Sequence, residues 1–444
     1  MSTPHPLVAG PILATLIRLA APNVLTMSLG VLVSIAETLY IGLLGTVPLA
    51  AMALVYPFAM LVQMLSSGAM GGGVSSAIAR ALGAGGRSRA QALALHAIVI
   101  GVAAGVLHMA VMLAFGPRFY ALLGGRGEVL AEAIGFGAVL FIGTPFVWLL
   151  NAQLSIVRGT GDMVMPARIM LVVSILQIAV GALLGLGLGP LPRLGLPGVA
   201  CGTIAAYGVG ALWLLVLLRA GHARLTLSLA GGSLRRSLFA DILRVGATAC
   251  LSPAQSVLTI LLTTALIAPF GTAALAAGGI VQRLEFLLVP LSFGIGVAAV
   301  PMVGMAIGAG AVARARRVAW TAATLSLVNL SVIGVLVALA PGLWAGLFTA
   351  DPEVIETAAI QLRWVGPAFG FFGFGLTLYF AAQGSGRILG PVLAASVRLA
   401  LVAGVGFTLQ AYQAPLWCYF ALIAGAMCAY AAACALAVGV TRWR

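Results

Sequence analysis

Residues 158–166 read Arg158-Gly159-Thr160-Gly161-Asp162-Met163-Val164-Met165-Pro166, and residues 383–391 read Gln383-Gly384-Ser385-Gly386-Arg387-Ile388-Leu389-Gly390-Pro391. One Gly-hydroxyl-Gly turn with a trailing Pro is used twice. Working outward, Gly45-Thr46 with Leu49-Ala50-Ala51 recurs as Gly271-Thr272 with Leu275-Ala276-Ala277. Ser66 and Gly68 recur as Ser292 and Gly294, and Pro117 ahead of Glu128-Val129 recurs as Pro341 ahead of Glu353-Val354. The offset stays near 225 residues, and the order never changes. Chance explains one such match, not four in sequence. The chain is therefore read as two copies of one unit.

Composition says what solvent surrounds those units. Of 444 residues, 62% are hydrophobic and 7% are charged. A soluble domain carries about 25% charged residues, so a water-facing surface cannot be built from this chain, whereas a bilayer tolerates it. The 57 Gly and 21 Pro also suit membrane helices, where Gly permits close contact and neighbouring helices repair Pro kinks. Twelve apolar runs approach or exceed the roughly 20 residues that cross the hydrocarbon core. They cover 16–43, 48–72, 91–115, 130–156, 164–189 and 196–218, then 240–268, 273–302, 317–340, 355–381, 388–411 and 415–440. The expected fold is an all-α membrane protein of about 12 transmembrane helices in two pseudo-symmetric six-helix lobes. The lobes are residues 1–218 and 242–444, with 219–241 as a cytoplasmic linker. An even repeat of six spans keeps both copies in one orientation, as parallel repeats about an axis along the membrane normal.

The formal charge is +14, and all 23 basic residues are Arg. They do not form one patch, so nucleic acid is not an expected partner; they fall in short loops, as the positive-inside rule describes. With the N-terminus inside, the inner segments hold 17 of them, including Arg80, Arg87, Arg89, Arg219, Arg235 and Arg236. The outer segments hold Arg118, Arg126, Arg193 and Arg363, and the spans hold Arg283 and Arg398. The reading is a multi-pass protein of a bacterial inner (cytoplasmic) membrane with both termini cytoplasmic. Its expected partners are a small-molecule substrate and the bilayer, and it is expected to act as a monomer. The apolar run after Arg18 is too long for a cleavable signal and reads as the first span. The five Cys lie in apolar stretches without a CxxC pair, and the four His lack metal-ligand spacing. GxSxG, HExxH and Walker patterns are absent, so the sequence shows no nucleophile, metal or cofactor constellation. The segment 219–241, with Gly231-Gly232-Ser233 and Arg235-Arg236, reads as a solvated linker, or as an amphipathic stretch on anionic lipid.

Several segments resemble the multidrug and toxic compound extrusion (MATE) family. They are Glu37-Thr38-Leu39-Tyr40-Ile41-Gly42 leading into Leu49-Ala50-Ala51, and Ala79-Arg80-Ala81-Leu82-Gly83-Ala84-Gly85 with its twin Met305-Ala306-Ile307-Gly308-Ala309-Gly310. Arg158-Gly159-Thr160-Gly161-Asp162, Gly195-Leu196-Pro197-Gly198 and Arg283-Leu284-Glu285-Phe286 complete the set. The resemblance implies two six-helix lobes around a central cavity, alternating access, and export of cationic or amphipathic compounds in exchange for Na⁺ or H⁺. The chain departs from the family pattern. The first-helix acid, usually Asp, is Glu37; the fifth-helix Asn and the Asp four residues on correspond to Gln177 and Gly181.

Two acids fall inside predicted spans away from their ends, Glu37 and Glu285. A charge there costs at least a few kcal/mol on insertion scales, so each must face the bundle interior, find a partner or take a proton. Both are candidates for ion coupling. Arg283 lies two residues before Glu285, on a different helix face, so the two are not expected to pair. Asn151, Gln177 and Thr203 come from helices of the same lobe as Glu37, and with Arg283 they are the candidate ion or substrate contacts. A proton needs one carboxyl group, so H⁺ is preferred as the coupling ion; the alternative is Na⁺ held by Glu37, Asn151, Gln177 and Thr203. Other polar residues in the spans, Gln63 among them, read as interhelical glue. Asp162, beside Arg158 at the cytoplasmic end, reads as a helix cap or a loop salt bridge rather than an ion ligand. The function expected is secondary active antiport. The alternatives weighed are a flippase for a lipid-linked sugar, and, with less support, a membrane-embedded enzyme or sensor.

Overall fold

The computed structural model describes residues 6–188, 192–222, 224–227 and 233–443. Among them every regular element is helical. Eleven helices are long and apolar enough to cross a membrane, and one bent pair supplies a twelfth. In chain order they are α1 Ile12–Gly42, α2 Thr46–Gly83, α3 Arg87–Leu122, α4 Gly127–Ile142 with Thr144–Gly159, α5 Val164–Leu186 and α6 Gly195–Arg219. Then follow α7 Arg236–Phe270, α8 Thr272–Gly308, α9 Val312–Leu339, α10 Pro352–Ser385, α11 Leu389–Ala411 and α12 Leu416–Val440. Each falls on one of the twelve runs read from the sequence.

Where a span is irregular, the sequence supplies the cause. The two parts of α4 meet at 43°. Pro145 has no N–H for the carbonyl of Phe141, and the Thr144 hydroxyl donates to that carbonyl instead, at 2.6 Å. In α7 the helix breaks between Ala249 and Leu251. The carbonyl of Ala249 accepts from the Tyr379 hydroxyl at 3.1 Å, which satisfies a group that lipid cannot. In α2 the residues Met64–Met70 form a π-helical turn, closed where the Gly71 N–H donates to the carbonyl of Ser66, five residues back.

The duplicated motifs adopt duplicated conformations. Gly45 and Gly271 both precede a helix at positive φ, 129° and 99°. Gly161 and Gly386 both follow one in the left-handed region, at 83° and 77°. Such angles favour glycine. Close packing repeats too. A Cβ on Gly159 would lie 2.9 Å from Ser75 O and from Ile78 Cβ; one on Gly384 would lie 2.6 Å from Val300 O and 2.9 Å from Val303 Cβ. All three positions are related by a shift of 225 residues.

The chain forms two compact units, Leu25–Gly246 and Met1–Val24 with Ala247–Arg444. In the first, the largest apolar core joins Ile78 and Leu93 to Leu150, Leu154 and Leu214. Part of the expected linker 219–241 belongs to that core. Leu225 and Leu227 are fully buried in it, and the N–H of Leu227 donates to Leu218 O at 2.9 Å. Asp241 accepts from Arg80 at 2.8 Å and from Arg89 at 2.9 Å. The Arg235 N–H donates to His96 Nε2 at 2.8 Å, while His96 Nδ1 bonds the Ala92 carbonyl at 2.7 Å. Residues 228–232, with Gly231-Gly232, lie outside the described residues. In the second unit, Arg314 donates to the carbonyls of Leu7 and Gly10, and Ser292 and Ser326 share a buried hydrogen bond of 2.8 Å.

Candidate functional site

Glu37 lies in the second half of α1, within the unit Leu25–Gly246. Its Oε1 accepts from Gln177 Nε2 of α5 at 2.9 Å. The same amide nitrogen donates to Thr203 Oγ1 of α6 at 3.2 Å. Three of the residues singled out from sequence thus meet at one point. The pair α5 and α6 can hold them because glycines let the two backbones touch. A Cβ on Gly202 would fall within 2.5 Å of Gly181 N and Cα, and one on Gly198 would fall 2.6 Å from Leu184 O.

Gly181 has a second role. A Cβ there would lie 2.8 Å from the Tyr40 hydroxyl. The space that a longer side chain at 181 would take is filled by this phenol, which is buried and has no hydrogen-bond partner among the described residues. The departure from the family pattern at 181 is therefore matched by Tyr40, one helical turn beyond Glu37.

Asn151 of α4 belongs to an adjoining network. Its Nδ2 donates to Gln63 Oε1 and to Ser66 Oγ, both at 2.8 Å. Gln63 Nε2 donates to the Tyr207 hydroxyl at 2.9 Å, and Ser66 Oγ donates to Val62 O at 2.7 Å. Tyr207 lies on α6 one helical turn beyond Thr203, the hydroxyl that shares the Gln177 amide with Glu37. From sequence Gln63 reads as interhelical glue and Ser66 only as a mark of the repeat, while Tyr207 is not singled out. The available signal is spacing, since Ser66 follows Gln63 by three residues on α2 and Tyr207 follows Thr203 by four on α6.

Glu285 and Arg283 lie on α8 in the other unit. They do not pair, as expected from their spacing. Arg283 stacks over the Phe348 ring at 5.1 Å. Glu285 forms no ion pair among the described residues, and the guanidinium of Arg398 on α11 sits 4.9 Å over the Phe372 ring. Asp162 caps α5, accepting from the N–H groups of Val164 and Met165 at 3.0 and 3.1 Å. Among the described residues, no three His, Cys, Asp or Glu side chains converge as a metal site.

The MatE family profile matches residues 22–183 and 249–408, once per repeat and over most of the chain. The chain belongs to the MatE family. Members of this family are transporters. Among curated proteins it is similar to an FAD transporter of Shewanella oneidensis, with 26% identity over 406 residues, 90% of this chain and 89% of the relative. It is similar to the multidrug export protein MepA of Staphylococcus aureus, with 26% identity over 432 residues, 95% and 93% of the two chains. Solved structures share the fold. A MOP superfamily transporter from Pyrococcus furiosus superposes with a TM-score of 0.89 at 23% identity, covering 98% of this chain and 97% of the other. The Vibrio cholerae MATE transporter VcmN in its bent form gives 0.87 at 23% identity, with 96% of each chain covered.

Proposed function

We propose that this MATE transporter is a secondary antiporter that exports small organic compounds, cationic or amphipathic, in exchange for H⁺ by alternating access. It works as a monomer in a bacterial inner membrane with both termini cytoplasmic, and residues 1–218 and 242–444 serve as its two lobes. The observation that carries the reading is the setting of Glu37. A carboxyl group sits inside a span, its Oε1 held by the Gln177 amide N–H, with no cationic side chain bonded to it among the described residues. Such a group is poorly tolerated as a permanent charge in lipid, so loss and gain of a proton become the natural cycle. A bound Na⁺ wants several oxygen ligands. Here the Gln177 amide turns its nitrogen, not its oxygen, toward Glu37 and Thr203, and Asn151 spends both amide hydrogens on Gln63 and Ser66.

The test is efflux from proteoliposomes with the two gradients imposed separately. The proton reading expects export of an organic-cation dye to follow a pH gradient at zero Na⁺ gradient. Export that follows Na⁺ at clamped pH overturns it. The FAD transporter relative supports a second reading, an anionic substrate. For that substrate the in-span guanidiniums Arg283 and Arg398, both stacked on aromatic rings, would be the recognition groups. Counterflow of FAD undiminished by excess organic cation would favour it.

A further inference from the structure

The π-helical turn of α2 and the network that touches it have no part in the site as proposed above. A π turn holds one residue more than the α-helix around it, is rare, and is frequently found at functional sites. Here it is held from one side by a single amide. Asn151, 2% exposed, reaches Gln63, the residue before the turn, and Ser66, the third residue within it. Ser66 in turn bonds Val62 O, a carbonyl next to the register change. Gln63 continues to Tyr207, 7% exposed. Because the Tyr207 oxygen accepts the Gln63 N–H, the phenol keeps its own proton to donate. Glu37 makes one hydrogen bond among the described residues, through Oε1 to the Gln177 amide that also reaches Thr203, and Tyr207 lies one turn along α6 from Thr203.

We propose that Tyr207, Gln63 and Asn151 are positioning residues that transmit the charge of Glu37 to the π-helical turn Met64–Met70. The proposal rests on the reading of Glu37 as the coupling group. An ionised Glu37 draws the phenol proton of Tyr207 toward it, which makes the phenol oxygen a better acceptor for Gln63. Gln63 and Asn151 follow, because chained hydrogen bonds polarise one another. The amide of Asn151 then clamps the turn in its wide register. A protonated Glu37 withdraws that pull, and the turn relaxes toward α geometry. Loss of one residue from the wide turn rotates one end of α2 against the other by about 100° and shifts it by about 1.5 Å. The turn is thus a two-state element biased by a proton, which alternating access requires.

The experiment uses the full chain in proteoliposomes, with an organic-cation dye as substrate and a pH gradient as the drive. Tyr207→Phe removes one hydroxyl and little volume; Gln63→Leu cuts the chain at a second link. Gel filtration and the thermal midpoint in detergent establish that each variant is folded. The expected result is an approximately tenfold fall in maximal rate for either variant, one hydrogen bond to a charge-linked group being worth about 1.4 kcal/mol or more, with KM within about twofold of the parent. Amide hydrogen exchange across residues 64–70 responds to Glu37→Gln in the parent and not in the Tyr207→Phe background. Parent-like transport by Tyr207→Phe and Gln63→Leu, with Glu37→Gln inactive, overturns the relay and leaves the coupling role of Glu37 intact. Parent-like transport by Glu37→Gln overturns both.

Discussion

The two repeats share their joints and differ in their chemistry. Gly159 against Ser75 and Ile78, and Gly384 against Val300 and Val303, are the same contact made twice. The polar site is not made twice. At the matching positions of the second repeat, shifted by 225 or 226 residues, Glu37 becomes Thr263, Gln63 becomes Val289, Asn151 becomes Leu376 and Gln177 becomes Val402. Thr263 satisfies itself by donating to Thr259 O at 2.8 Å. In the other direction, Glu285 and Arg398 stand where the first repeat has Ala59 and Val173. Glycines and turns are what a duplicated scaffold must keep, because a Cβ at these contacts has nowhere to go. Polar groups in lipid are costly, so a duplicated scaffold need not keep them in both copies. The proposed coupling group, Glu37, belongs to the first repeat alone.

The largest effects should come from breaking the shared joints. Gly159→Ala and Gly384→Ala each push a Cβ into backbone oxygen and a branched side chain. Each should cost about 2–3 kcal/mol, as overpacking does, and the two costs should agree within about 1 kcal/mol. Thermal unfolding in detergent measures this. A large loss in one repeat and none in the other would dissolve the structural half of the comparison.

Next is the chemistry that only one repeat carries. Gln177→Val copies Val402 into the first repeat and removes the donor to Glu37. Maximal gradient-driven export should fall about tenfold, since hydrogen bonds to charged groups are worth about 1.5–3 kcal/mol. Thr263→Val in the second repeat should change transport by less than about twofold. Equal effects would mean that both repeats couple.

Smaller effects sharpen the comparison through stability. Gln153 is fully buried, and neither end of its amide has a partner among the described residues. Its counterpart is Leu378, equally buried. Gln153→Leu should therefore stabilise the protein by about 1–2 kcal/mol, the cost of an unsatisfied buried polar group. A loss of stability together with a loss of transport would instead give Gln153 a working role. The smallest effect is expected at Asp241, whose partners Arg80 and Arg89 are 17% and 58% exposed. Asp241→Asn should cost about 1 kcal/mol, and less at high salt, as partly exposed ion pairs do. A cost unaffected by salt would mean that the tie acts by packing.

Much of this was legible in the residues. Twelve apolar runs became twelve spans because lipid leaves a backbone of this composition no other way to satisfy its polar groups. Asp162 capped its helix because a carboxylate two and three residues before free N–H groups has a partner within reach. Glu37, Gln177 and Thr203 came together because few polar groups exist in those spans and each needs another. The partition into two networks was not legible. Whether Asn151 faces Glu37 or Gln63 depends on helix rotation, which a π turn changes by a fraction of a turn. Nor was the packing of 233–241 legible, since Asp241 finds Arg80 and Arg89 across more than 150 residues of chain.

The central claim, that one repeat couples and the other does not, meets its most direct test in substrate-driven proton flux. A pH-sensitive dye inside proteoliposomes reports proton movement when a substrate gradient is imposed. The account predicts that Glu37→Gln abolishes that movement, whereas Glu285→Gln, in the second repeat, keeps a substantial part of it. Proton movement that survives in Glu37→Gln and vanishes in Glu285→Gln would contradict the account and move coupling to the second repeat.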